Sequence, residues 1–494
     1  MRWVVAVLAV LAIAVAVWRL EAGRAGLEIG AFDIPGGPPA TLTVAPGTEP
    51  APVVVVAHGF AGSRQLMEPF ALTLARAGYL VVSFDFMGHG RNPRPMTGDV
   101  TTVDGTTRLM VEEVRAVARA ALAHPRSDGR LAYLGHSMAS DLIIRAALQE
   151  PAVGAVVAVS AFSQAVTAER PANLLLVAGE WEGRLREEAL RILRMTEAEA
   201  GEGETVGDMA VGTARRMVTA PGVEHVGVLY APAALDAAAA WLDAVFARDG
   251  AVPAQARGGW ILLLLAGVTA LAWPLARALP AAPAVGGPVP LRLFLWAALL
   301  PAVAVPLLLA PVETRVLPVL VADYLVLHFA AYGAIVIGLL ARAGRLRGQF
   351  PGRVWGLAGL VAVVSIAGFG LVLDRYVANF LPHAGRIAVI AGLALGAVAY
   401  SLGEALLLEA GRARVWRVLL VRGAFLASLI AAVALDFERL MFLLIILPVI
   451  LLFFLIFGTI GGWIGRRSGL AAVGGIGLGL MLAWALGVTF PLFA

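Results

Sequence analysis

A chain of 494 residues has room for about two or three domains, and a hydrophobic content of 60% with a mean hydropathy of +0.84 excludes a wholly soluble protein. There is no cysteine, which rules out disulfides, thiolate metal sites and cysteine nucleophiles and leaves the redox compartment undetermined. The net charge is only +4, and every basic residue besides histidine is an arginine, much of it in short loops between apolar segments; membrane topology explains this better than a nucleic-acid surface, so no nucleic-acid partner is expected.

The first apolar run, WVVAVLAVLAIAVAVW over residues 3–18, is short and carries tryptophans (Trp3, Trp18) at both ends, where membrane interfaces would lie. No clean A-x-A cleavage site follows, so an uncleaved anchor over residues 1–21 is expected rather than a signal peptide. Residues 22–250 differ in kind. β-like runs (TLTV, PVVVVAH, YLVVSFDF, RLAYLG, VGAVVAVS, NLLLVAG, RRMVTAPG) alternate with segments of helical periodicity such as LMEPFALTLARAG and TRLMVEEVRAVARAALAH. Strands this apolar, separated by helices, predict an α/β domain whose mostly parallel sheet is covered on both faces.

Residues 251–494 read as an all-α polytopic transmembrane domain. About eight apolar segments, near 259–278, 290–311, 316–341, 354–373, 387–408, 416–435, 440–461 and 470–492, are each long enough for a hydrocarbon core of about 30 Å. Alternate connections are arginine-rich: Arg277 and Arg292; Arg342, Arg345, Arg347 and Arg353; Arg412, Arg414 and Arg417; Arg466 and Arg467. The opposite set holds only Arg257, Arg315, Arg375, Arg386 and Arg439. The positive-inside rule puts the rich loops and the N-terminus in the cytoplasm, and the α/β domain on the extracytoplasmic side of a cytoplasmic membrane.

The chemistry concentrates in the α/β domain. Gly135-His136-Ser137-Met138-Ala139 ends one apolar run and opens a helical one. A serine hydroxyl is a poor nucleophile until an oriented base takes its proton; a sharp strand-to-helix turn exposes it at a helix N-terminus, where the N–H of the next residue, Met138, can donate to a developing oxyanion. Strand and helix cross closely there, so small residues are needed two before and two after the serine; Ala139 adds one methyl to the glycine of G-x-S-x-G, a tolerable departure. Upstream, PVVVVAHGFAGS ends a strand in His58-Gly59-Phe60, and the Phe60 N–H is assigned as second oxyanion donor. FDFMGHGRN then sets Asp85, Gly88, His89 and Gly90 after another strand.

Taken in order, HGF-x-GS, D-x-x-G-x-G and GHS-x-[GA] resemble the α/β-hydrolase superfamily of esterases, lipases and peptidases, over roughly residues 25–250. The resemblance implies the order Ser, acid, His. NLLLVAGEWEG puts Glu182 three residues past Gly179, with Glu180 as the alternative acid, and RRMVTAPGVEHVGVLYAP puts His225 in a loop before the closing helix AALDAAAAWLDAVFA. His58, His89 and His136 read as turn-shaping or hydrogen-bonding residues, His124 as a solvated loop residue and Asp85 as structural. The implied chemistry is acyl transfer through a Ser–His–Glu triad, with no metal and no cofactor.

Only SAFSQAVTAERPA separates two strands where relatives insert a cap, so no large cap fits and the site should be open; residues 183–213 form either a small lid or a charged surface helix and loop. An open site held against a bilayer favours a lipid-like acyl ester or thioester, with membrane lipids as partners. Serine peptidase and acyltransferase chemistry use the same triad, and a transporter or sensor whose α/β domain only binds ligand is the rival of another class. In the membrane half, Asp323, Tyr324, His328, Tyr400 and Glu404 lie within apolar segments; they either bond between helices or build a headgroup or proton pocket. Gly458/Gly462 and Gly475/Gly479 are spaced for close helix packing.

Overall fold

The computed structural model describes residues 1–100, 102–250, 252–319 and 321–494. The chain divides into two compact units: residues 15–263 with 373–379 and 491–494, and residues 1–14 with 264–372 and 380–490. Helix α1, Arg2–Ala22, carries the first apolar run.

The first unit is built on one sheet of nine strands: β1 (Glu28–Phe32), β2 (Ala40–Val44), β3 (Ala51–Ala57), β4 (Leu80–Phe84), β5 (Ser127–His136), β6 (Val153–Val159), β7 (Leu174–Gly179), β8 (Thr205–Val206) and β9 (Arg215–Ala220). Their order is β1-β2-β4-β3-β5-β6-β7-β9-β8. The pairs from β4 to β9 are parallel, while β1, β2 and β8 pair antiparallel at the two edges. Helices α2 (Glu68–Arg76), α3 (Arg108–Leu122), α4 (Met138–Leu148), α5 (Gly183–Leu193) and α6 (Pro232–Val245) cover it.

The two-residue period of a strand decides which helix meets which side chain. Val53 and Val55 of β3 belong to the same buried cluster as Val114 of α3, Ile143 of α4 and Ile192 of α5. Val54 and Val56, one residue out of phase, pack with Phe70 and Leu74 of α2 and Leu235 and Leu242 of α6. With both faces buried, the strand has to be apolar throughout, and all seven residues of β3 are buried. The edge strands β1 and β8 lack that signature, β1 because it is mostly exposed and β8 because it is two residues long. Residues 183–213 do not form a lid: Ala189, Ile192 and Leu193 of α5 are buried in the sheet's core, and β8 extends the sheet edge.

The second unit contains α7 (Gly258–Ala276), α8 (Leu291–Leu309), α9 (Ala322–Arg342), α10 (Arg353–Tyr376), α11 (Ala384–Leu407), α12 (Val415–Leu435), the short α13 (Phe437–Leu440), α14 (Leu443–Ser468) and α15 (Ala471–Thr489), with a few terminal residues of α7 and α10 falling in the first unit. Among the described residues nine helices, α1 included, are long and apolar enough to cross a membrane, which is compatible with an integral membrane protein. Small residues bring three of them into backbone contact: a Cβ at Gly475 or Gly479 of α15 would lie 2.7 Å from Leu402 Cα or Val398 Cα of α11, and one at Gly333 of α9 would strike the backbone at Ala399. Gly458 departs from the helix-packing expectation, since the guanidinium of Arg422 fills its place. Replacement of Gly479 by leucine should therefore cost more than about 2 kcal/mol by overpacking against backbone that cannot yield, whereas Gly338→Leu, with open space where its Cβ would be, should cost little; thermal unfolding of the detergent-purified protein compares the two.

Candidate active site

The parallel strands deliver their loops to one edge of the sheet. At the end of β5 the chain turns into α4 through Ser137, whose φ of 56° and ψ of −119° are costly for a residue with a side chain. Surroundings over-determine that conformation. The Ser137 N–H donates to Val159 O at 2.9 Å, and its carbonyl accepts from the N–H and hydroxyl of Ser140. A Cβ at Gly135 would stand 2.8 Å from Ala139 O, so glycine is required two residues before the serine; Ala139, two residues after it, is fully buried and its methyl is accommodated.

Ser137, His225 and Glu182 meet although 88 and 43 residues separate the successive pairs. His225 Nε2 lies 2.8 Å from Ser137 Oγ, and His225 Nδ1 lies 2.5 Å from Glu182 Oε1. The other Glu182 oxygen accepts from the Ser160 hydroxyl at 2.7 Å and from the Gly179 N–H at 2.6 Å. Burial alone would raise the Glu182 carboxyl, but these bonds from His225, Gly179 and Ser160 outweigh it and hold the group below the ordinary carboxylate range. Glu180 is placed elsewhere: its carboxylate accepts from the Gly222 N–H at 2.6 Å.

Met138 opens α4, so its N–H belongs to the first turn, where helix amides have no intrahelical partner. Gly59 approaches from β3, and a Cβ on it would come within 3.0 Å of Ser137 Cβ. Its carbonyl accepts from His58 Nδ1 at 2.8 Å and from the Gly62 N–H at 3.1 Å, which points the Phe60 N–H, on the opposite edge of the same planar peptide, the other way. His58 Nε2 accepts from the Phe86 N–H at 3.2 Å, so the ring is neutral with its proton on Nδ1, and burial lowers its pKa. His136 donates from Nε2 to the carbonyl of His225 at 2.8 Å and so holds the loop that carries that ring. Ser160 escaped the sequence reading because a serine at a strand end carries no pattern; only its placement after β6 marks it.

Asp323, His328 and Glu404 each have hydrogen-bond partners of their own. Asp323, in the first turn of α9, accepts from the Val316 and Leu317 N–H groups of the preceding loop at 2.5 and 2.9 Å. His328 lies between Tyr324 at 3.2 Å and Ser428 of α12 at 3.1 Å, and Glu404 pairs with Arg422 of α12 at 2.8 Å. His328 and Glu404 thus bond between helices. Among the described residues no group of three or more His, Asp or Glu side chains is placed to hold a metal ion.

The sheet order and the strand–Ser137–helix turn define an α/β-hydrolase domain. Residues 48–196 match the family described as serine aminopeptidase, S33, an α/β-hydrolase family, and this match supports a hydrolase enzyme. No curated protein matches the chain. Solved structures similar to it include a hormone-sensitive lipase from a metagenome library (15% identity, 47% of this chain and 92% of that one, TM-score 0.34). An esterase of the bacterial hormone-sensitive lipase family (18% identity, 45% and 85%, TM-score 0.33) and the protein TT1662 from Thermus thermophilus (16% identity, 45% and 99%, TM-score 0.33) are others. Nothing in them recognises the second unit.

Burial and the neighbouring His225 push the His136 imidazole down to about 3. A histidine with a depressed folded pKa binds fewer protons folded than unfolded, so its stabilising effect is complete above the unfolded value of about 6.5 and is lost as pH falls toward 3, at about 1.4 kcal/mol per unit. His136→Gln keeps a donor toward His225 O without this titration; thermal melts between pH 7 and pH 5 should show a shallower acid loss than wild type.

Proposed function

We propose that the protein is a membrane-embedded serine hydrolase that cleaves carboxylic esters of lipid-like acyl groups through Ser137, His225 and Glu182. The observation that carries this reading is the line of two hydrogen bonds from the serine hydroxyl through the imidazole to a buried carboxylate. His225 Nε2 takes the Ser137 proton as Oγ attacks the acyl carbon, and Glu182 holds the ring's tautomer and stabilises its charged form. The N–H groups of Phe60 and Met138 receive the oxyanion. His225 then protonates the leaving alcohol, and a water deprotonated by the same nitrogen releases the acid.

An apolar acyl group is supported by side chains flanking these residues. Trp181, next to Glu182, is 69% exposed, and Phe162, two residues after Ser160, is 57% exposed; Val226 follows His225 and is exposed as well. The short connection between β6 and β7 leaves no cap over them. Nine long apolar helices among the described residues support a bilayer as the setting, and the arginine distribution supports an extracytoplasmic hydrolase domain. The family description favours peptide-bond cleavage as a second reading, in which aminoacyl amides would be turned over faster than esters.

Full-length protein assayed on p-nitrophenyl esters of increasing acyl length tests the proposal. Ser137→Ala and His225→Ala should each lower kcat on the order of 10⁴-fold or more, and Glu182→Gln by about 10⁴-fold through the wrong tautomer. Trp181→Ser with Phe162→Ser should raise KM for a decanoate ester more than for an acetate ester. A folded Ser137→Ala protein with wild-type turnover would overturn the mechanism.

A further inference from the structure

The first unit includes two short segments that lie far along the chain from its sheet: residues 373–379, the end of α10 and the start of the loop that follows it, and residues 491–494. Both attach to the pair of loops that carries the Phe60 peptide. One of these loops runs from Gly59 to Arg64 and the other from Asp85 to Met96. Asp85 joins them from within: its carboxylate accepts from the Arg64 N–H at 2.8 Å and the Arg91 N–H at 3.0 Å and is ion-paired with the Arg64 guanidinium. A Cβ at Gly90 would overlap that carboxylate, and Gly90 has φ of +52°, so glycine lets the second loop wrap around it.

Asn379 joins the same two loops from outside. Its N–H donates to Ser63 Oγ at 3.0 Å, its Nδ2 donates to Gly90 O at 3.2 Å, and its Oδ1 accepts from Arg91 Nε at 3.2 Å. Asp374 adds an ion pair to Arg91 at 2.5 Å. Asn379 is 4% exposed and Ser63 1% exposed, so a lost bond there leaves a buried polar group without a partner. Farther along the second loop, the Leu492 N–H donates to Gly88 O, while Met96 O accepts from the Ala494 N–H and the Met96 N–H donates to Leu492 O, each at 2.8 Å. Phe493 pairs with Met96 in parallel register and packs on the sheet's core.

We infer that Asn379 and residues 491–494 are positioning elements of the hydrolytic site, holding the loops that set the Phe60 N–H against the Ser137 oxyanion. The inference rests on the reading of Ser137 as the nucleophile. The first loop is directly continuous with the oxyanion peptide, Ser63 lying three residues beyond Phe60, and the second meets it through the ring of His89, edge-on to the ring of Phe60 at 5.7 Å between centroids. Oxyanion stabilisation depends on donors fixed before the reaction, so a loosened loop penalises the transition state more than substrate binding.

The experiment is steady-state hydrolysis of p-nitrophenyl butyrate by the full-length protein, with thermal melts of each variant. Asn379→Ala should lower kcat about tenfold or more with KM within about twofold, since a displaced donor loses part of the 10²–10³ that a deleted donor costs. Ser63→Ala, which removes the acceptor of the Asn379 N–H, should move the same parameter in the same direction. A folded Asn379→Ala protein with unchanged kcat, or one altered only in KM, overturns the inference; if that variant does not fold, Ser63→Ala decides by the same criteria. Wild-type protein with no turnover overturns the Ser137 reading, and the inference with it, whereas active wild type with an unaffected Asn379→Ala overturns the inference alone.

Discussion

Everything at the site depends on the crossing of β5 and α4, which leaves no room for a side chain at residue 135 and forces Ser137 into a backbone conformation that costs on the order of 1–3 kcal/mol. Strain of that size persists only where packing fixes both flanks. Here β5 is buried between β3 and β6, and α4 is buried through Leu142, Ile143 and Ile144. The core therefore does more than stabilise the domain. It aims one hydroxyl off the end of the sheet and starts a helix under it, so hydroxyl and helix amides come as a unit.

The carboxylate that meets the imidazole beside that hydroxyl is Glu182. Glu182 is oriented by three donors, of which two, the Ser160 hydroxyl and the Gly179 N–H, come from neighbouring strand ends. Burial keeps His58 and His136 neutral, and each spends its ring protons on backbone carbonyls. Neither places a positive charge beside the His225 imidazole. Both act through the main chain, His58 on the Gly59 carbonyl and His136 on the His225 carbonyl, so the histidines of the HG and GHS motifs shape the backbone of the site.

Local signals carried much of this. The apolar strands and the Gly135–Ala139 turn have one-dimensional signatures, because a strand buried on both faces must be apolar throughout and a tight crossing must have small residues. Glu182 and His225 could be named because the α/β-hydrolase resemblance implies an acid after a later strand and a histidine before the closing helix, and the hydrogen bonds select Glu182 over Glu180 for contact with the imidazole. The edge strands β1 and β8 were invisible because exposed or two-residue strands show no periodicity. Asn379 was out of reach for another reason: it sits 289 residues from Gly90, and an asparagine between two apolar helices reads only as loop. Arg422 sits inside an apolar helix, and nothing in the residues around it identifies Glu404 as its partner.

The most direct test of an activated Ser137 is covalent. Full-length protein in detergent or membranes would be treated with a fluorophosphonate, digested, and the modified peptide sequenced by mass spectrometry. The predicted result is stoichiometric phosphonylation of Ser137, abolished in His225→Ala, because the hydroxyl attacks phosphorus only when the imidazole takes its proton. Folded wild-type protein that carries no adduct, or carries it on another serine, would contradict the assignment of Ser137 as the nucleophile.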